Sequence, residues 1–101
     1  MIEKKYLKSK PICKVKFVLP KEVVNGAKKV ALVGDFNDWD EDANPMRKQK
    51  SGVYASTVDL NKDQEYQFRY LIDGDRWEND VEADSLVPSP VGDSQNCVVA
   101  V

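Results

Sequence analysis

The sequence predicts one all-β domain, an immunoglobulin-like β-sandwich. Short runs alternate apolar and polar side chains at period two, clusters of Gly, Pro, Asn and Asp punctuate them, and no helical period outlasts a turn. With 101 residues, the chain fits a single domain with its own core and leaves little room for a deep catalytic cleft. Residues 1–10 read as a flexible basic tail and residues 11–101 as the sandwich.

The tail carries Lys4, Lys5, Lys8 and Lys10 with Tyr6 as its single aromatic, which favours a solvated segment over a docking site. Residues 13–19 then place Cys13, Val15, Phe17 and Leu19 on one face, the mark of a half-buried strand. After Pro20 and the turn-prone Asn25-Gly26, residues 29–34 are apolar on both faces, as expected of a more central strand, and a loop from 35 to 44 follows. Residues 52–60 alternate with Tyr54, Ser56, Val58 and Leu60 on one side. Asn61-Lys62-Asp63 predicts a hairpin into residues 65–72, where Tyr66, Phe68, Tyr70 and Ile72 share one face and Gln67, Arg69 and Leu71 the other. An acidic stretch punctuated by Pro88 and Pro90 leads to a β-branched final strand over residues 97–101.

Composition excludes several classes of function. A hydrophobic fraction of 42% against 32% charged residues is an ordinary globular balance, and no apolar run reaches membrane-spanning length. The net charge of −2 supplies no basic field for nucleic acid. No apolar stretch precedes a cleavage site at the N-terminus, so a cytoplasmic location is the expectation, with Cys13 and Cys97 as free thiols buried like small hydrophobes. Histidine is absent, which removes Ser-His and Cys-His nucleophile pairs and the usual zinc sets. The carboxylates at Asp35, Asp38, Asp40, Glu41 and Asp42, and from Asp73 to Asp84, miss the calcium-loop spacing, and a shallow sandwich offers no cleft for a glycosidase acid pair. No enzyme activity, metal or cofactor is expected.

Two tryptophans stand out. Trp39 closes Gly34-Asp35-Phe36-Asn37-Asp38-Trp39 and Trp77 closes Asp73-Gly74-Asp75-Arg76-Trp77, each an indole set among hydrogen-bonding groups in a turn. A flat apolar face beside polar groups suits a pyranose, whose axial C–H groups stack on it while its equatorial hydroxyls keep their hydrogen bonds. About 100 Å² of apolar burial per indole contributes on the order of 2 kcal/mol, which after association costs gives weak binding. Arg69, Gln95 and Asn96 are candidates to orient the sugar. The bland alternatives stay open from residue pattern alone: Trp39 as a plug on Phe36, Trp77 as cover for a sheet edge, Arg69 paired with a surface acid.

Residues 30–39 with their G-x-F-N-x-W, the Gly52-Val53-Tyr54 strand, and residues 66–74 ending in Asp-Gly before Trp77 together resemble the family 48 carbohydrate-binding modules. That family includes the glycogen-binding domain of the AMP-activated protein kinase β subunit and the early-set N-terminal modules of isoamylase and glycogen-branching enzymes. The resemblance implies that Trp39 and Trp77 are the two stacking indoles and that Arg69 stands where the kinase-type modules carry a sugar-bonding lysine. It sets residues 91–96 in the ligand loop, with Val91 at a leucine that projects through a ring-shaped oligosaccharide, Asp93 at a threonine and Gln95 at an asparagine. The chain departs from the pattern in the shorter Val91, the acidic Asp93 and one extra residue between Gly74 and Trp77.

The expected function is therefore non-catalytic binding of a glycogen- or starch-type α-glucan. The sequence carries neither an amylase-type barrel nor a kinase-docking region, so a glucan-active enzyme or kinase would be recruited in trans. The alternative is a protein-interaction module of the same fold that has lost sugar binding.

Overall fold

The alternation at residues 13–19 becomes strand β2 (Ile12–Leu19), whose Cys13, Val15 and Phe17 are wholly buried while Lys14 and Lys16 face solvent. In the computed structural model, which describes residues 2–89 and 94–101, β2 lies between β1 (Ile2–Tyr6) and β5 (Tyr54–Asn61), with the short β4 (Arg47–Lys48) at the far edge of β5. The second sheet runs β3 (Val30–Gly34), β6 (Glu65–Ile72), β9 (Gln95–Ala100), β8 (Ser85–Pro88), and β7 (Arg76–Glu78) also pairs with β6. All pairings are antiparallel, and the two sheets pack as an immunoglobulin-like sandwich.

The inner faces meet through aromatic edges. Phe68 stands edge-on to Phe17 with centroids 4.9 Å apart and edge-on to Tyr70 at 5.7 Å, and Leu32, Ile72 and Val99 fill the space around them. Cys13 from one sheet and Cys97 from the other are buried free thiols in this core.

Three local expectations are corrected. The basic segment read as a flexible tail pairs over Ile2–Tyr6 with β2, putting Tyr6 opposite Cys13 and Ile2 opposite Phe17; Ile2 packs on the core, and backbone pairing outweighs the local charge density. The turn at 61–63 is not a hairpin. β5 and β6 belong to different sheets, so the chain crosses from one to the other there; turn residues specify that the backbone reverses, not which neighbour the next strand meets. Finally, β3 is apolar on both faces although it ends its sheet. Its open edge is covered by residues 44–46, where Leu32 N–H donates to the Asn44 carbonyl at 2.9 Å and Met46 N–H to the Val30 carbonyl at 2.8 Å. A one-turn helix α1 (Lys21–Val24) joins β2 toward β3 and buries Val24.

Candidate functional site

The G-x-F-N-x-W segment folds as one turn of 3-10 helix over Asp35–Asn37, and each residue has a visible task. A Cβ at Gly34 would stand 2.5 Å from the Gln67 carbonyl oxygen, so β3 approaches β6 here only because the side chain is missing. Phe36 turns toward the core, 5.7 Å from Phe17. Asn37 ties the loop together: its Oδ1 accepts from Gly34 N–H at 3.0 Å and its Nδ2 donates to the Leu32 carbonyl at 2.9 Å and to Asn44 Oδ1 at 2.7 Å. Asp38 and Trp39 then take left-handed backbone at φ 55° and 58°, a cost for a bulky residue, and Trp39 N–H closes the turn on the Gly34 carbonyl at 2.9 Å.

That backbone lays the indole of Trp39 on Ala31, Val33 and Leu71, which line the outer face of the second sheet. Its Nε1–H donates to Asp35 Oδ1 at 2.9 Å, while Asp35 Oδ2 accepts from the Gln67 amide at 2.8 Å. One carboxylate thus fastens the ring to β6. The half-buried indole is positioned by packing on one side and by its polar edge.

The second indole comes from the turn between β6 and β7. Asp73 and Gly74 adopt φ 53° and 75°, as a tight reversal demands, and Asp73 Oδ1 accepts from the amides of Lys28 and Lys29 at 2.9 and 3.0 Å. Trp77 then sits opposite Leu71 in the ladder and is 41% exposed. Cross-strand partners share a face, so Trp77 and Trp39 both flank Leu71 on the same outer surface.

Arg69 lies two residues from Leu71 on that surface, opposite Val33. Among the described residues its guanidinium makes no bond to an acid; Nε and Nη2 donate to the Gln95 carbonyl at 2.8 and 2.6 Å, which orients the group on that face. Gln95 is exposed at the start of β9. Asn96 is buried, and its Nδ2 donates to Gln67 Oε1 at 3.0 Å, an amide pair on the outer face of the second sheet. Val91 and Asp93 lie outside the described residues. The structure therefore brings Trp39, Trp77, Arg69 and Asn96 to one face of the second sheet, with the backbone carbonyl of Gln95 against Arg69.

Leu71, Gln67 and Asp35 were not singled out as site residues. Period two along β6 already groups Gln67, Arg69 and Leu71 on one face, which was the available signal. Asp35 carries none: its carboxylate reads as loop charge until Trp39 and Gln67 are seen around it.

Beneath this surface, the Tyr70 hydroxyl donates to buried Asp80 Oδ2 at 2.7 Å, and Asp80 N–H donates to Cys97 Sγ at 3.1 Å. Burial first, then the neighbouring Asp80 carboxylate, drives the Tyr70 phenol well above its ordinary range, and burial pushes the Cys97 thiol up. Both stay protonated, and they pin the segment joining β7 to β8. A small cleft lined by Lys29, Ala31, Glu41, Asp42, Leu71 and Gly74, which shares Ala31 and Leu71 with the Trp39 contact, holds about 40 Å³. Among the described residues, no three His, Cys, Asp or Glu side chains converge as metal ligands, and no helix is long and apolar enough to cross a membrane.

A comparison with individual characterised proteins gives no match. The family model of carbohydrate-binding module 48, the isoamylase N-terminal domain, matches residues 22–86, a span that holds Trp39, Arg69 and Trp77. With more than half its length matched and the sandwich in place, the chain belongs to carbohydrate-binding module family 48.

Proposed function

We propose that this module binds α-glucan of the glycogen or starch type without catalysis, stacking successive glucose rings on Trp39 and Trp77. The observation that carries the reading is the shared position of Leu71, opposite Trp77 in the ladder and under Trp39, which sets two indoles on one open face. α-Linked glucans curve, and an open platform with two flat apolar surfaces accepts a curved chain more readily than a closed pocket would. Arg69, held by the Gln95 carbonyl, keeps its remaining N–H groups for hydroxyl oxygens at the edge, and the Gln95 side chain adds a donor and an acceptor. Val91 and Asp93 complete the set of residues assigned to the sugar. Binding at one face leaves the rest of the sandwich for a glucan-active enzyme or kinase that the module would bring to its substrate.

Titration calorimetry and indole signals in NMR spectra, with maltoheptaose and β-cyclodextrin, test this. Trp39→Ala or Trp77→Ala should each weaken binding at least about tenfold, since each removes on the order of 2 kcal/mol of stacking. The competing reading, an interaction module that has lost sugar binding, draws on Asn96, whose amide is engaged by Gln67 instead of being offered outward. It expects no response of either indole to millimolar maltoheptaose.

A further inference from the structure

The opposite side of the sandwich carries a groove of about 340 Å³ along the outer surface of β5, lined by Lys16, Pro45, Arg47, Gln49, Ala55, Ser56 and Thr57. Its form follows from register. Lys16 on β2 lies opposite Thr57, and Arg47 on β4 lies opposite Ala55, so two long cations stand on either side of a strand whose side chains there are small. They are separated by two strand spacings across and one alternate-residue step along, which puts their Cα atoms about 12 Å apart. No carboxylate lines the groove, and among the described residues neither Lys16 nor Arg47 forms an ion pair. By contrast, Lys14 on the same surface is matched by Asp59 at 3.2 Å.

Two cations without an ion pair among the described residues, Lys16 having Glu3 opposite it on β1 and outside the groove lining, stand with a hydroxyl from Thr57 and an amide from Gln49 between and beside them and form a local site complementary to negative charge. We propose that this groove docks an extended acidic segment of a partner protein. The spacing decides the class of ligand. One compact anion reaches a single cation, whereas an extended segment with carboxylates two to four residues apart meets both and fills the trough between them. A nucleic acid would bring its charge against the acidic loops of the rest of the chain. The groove and the two indoles lie on the outer faces of different sheets, so both can be occupied at once.

The test is a titration of the full chain with a hexaglutamate peptide, followed through backbone amide signals, with hexaglutamine and inorganic phosphate as parallel probes. Hexaglutamate should shift the amides of Lys16, Arg47, Gln49 and Thr57 in one saturable process, and hexaglutamine should not. The double variant Lys16→Gln with Arg47→Gln keeps the aliphatic stems and should weaken the peptide about fivefold or more, as loss of two exposed charge pairs predicts. Lys14→Gln, outside the groove, should leave peptide binding unchanged. Amide dispersion establishes that each variant is folded, and maltoheptaose on the same samples reads the indole face separately. Shifts spread over Lys4, Lys5, Lys48 and Lys50, an unchanged affinity in the double variant, or saturation by phosphate in preference to the peptide would each overturn the assignment.

Discussion

Asp35 accepts the Trp39 indole N–H at 2.9 Å, and the same carboxylate reaches across to the Gln67 amide on β6. A residue that looks like solvated loop charge is thus the bracket that aims the first indole. Asp35→Ala should leave the sandwich folded but release the ring. We expect a stability loss of about 1–2 kcal/mol in urea titrations together with a several-fold loss of maltoheptaose affinity, from hydrogen bonds to a charged group. Retention of full affinity would show that packing on Ala31, Val33 and Leu71 suffices to hold the ring.

Gly34→Ala tests the close approach of β3 to β6. The added methyl would meet backbone and the Phe68 Cβ, at 2.5 and 2.8 Å, and neither is a flexible side-chain end. The strands must separate, at a cost of about 1–3 kcal/mol. A thermal melt should report a clear fall, while an unchanged midpoint would mean the ladder relaxes freely at this end.

Tyr70→Phe removes the phenol that donates to Asp80 Oδ2 in the interior. The ring volume is kept, so the loss is that of a buried donor to a carboxylate, about 1–3 kcal/mol in chemical denaturation. Hydrogen exchange should quicken most in the connection around Asp80 if this bond pins it there.

Acid should loosen the seam between the sheets. Burial acts to raise the Asp84 carboxyl, but the Lys4 ammonium at 2.8 Å and the Ala100 amide outweigh it, and the group is held below its ordinary value of 3.8. A lowered native value stabilises the fold above the unfolded value, and that contribution fades as pH falls through the native one. The pair is partly exposed, so screening keeps it under about 1 kcal/mol. Asp84→Asn should therefore cost its small contribution, under about 1 kcal/mol, at neutral pH and converge with the parent protein below about pH 4, as thermal melts across that range will show.

Legibility differed between residues for physical reasons. Alternation in β2 and β6 named the buried row in each, because side-chain direction in a strand has a period of two whatever it pairs with. Trp39 and Trp77 were visible because an indole among acids has few reasons to be there. The role of Asn96 was not, since an amide at the start of a strand looks the same whether it meets solvent or Gln67. Asp80 likewise reads as one of many loop acids, and only the approach of Tyr70 from another strand makes it interior.

Residue pattern was enough to set the fold class, the inward faces of the long strands and the turn that carries Trp39, all of which depend on neighbours close in the chain, whereas Trp77, expected in a turn, lies in β7. Strand partnership, the crossing from β5 to β6, the recruitment of Ile2–Tyr6 and the meeting of both indoles at Leu71 depend on contacts between residues distant in sequence. Such contacts are chosen by which surfaces bury together once the sheets close, and that choice is a property of the packed molecule and not of any local run.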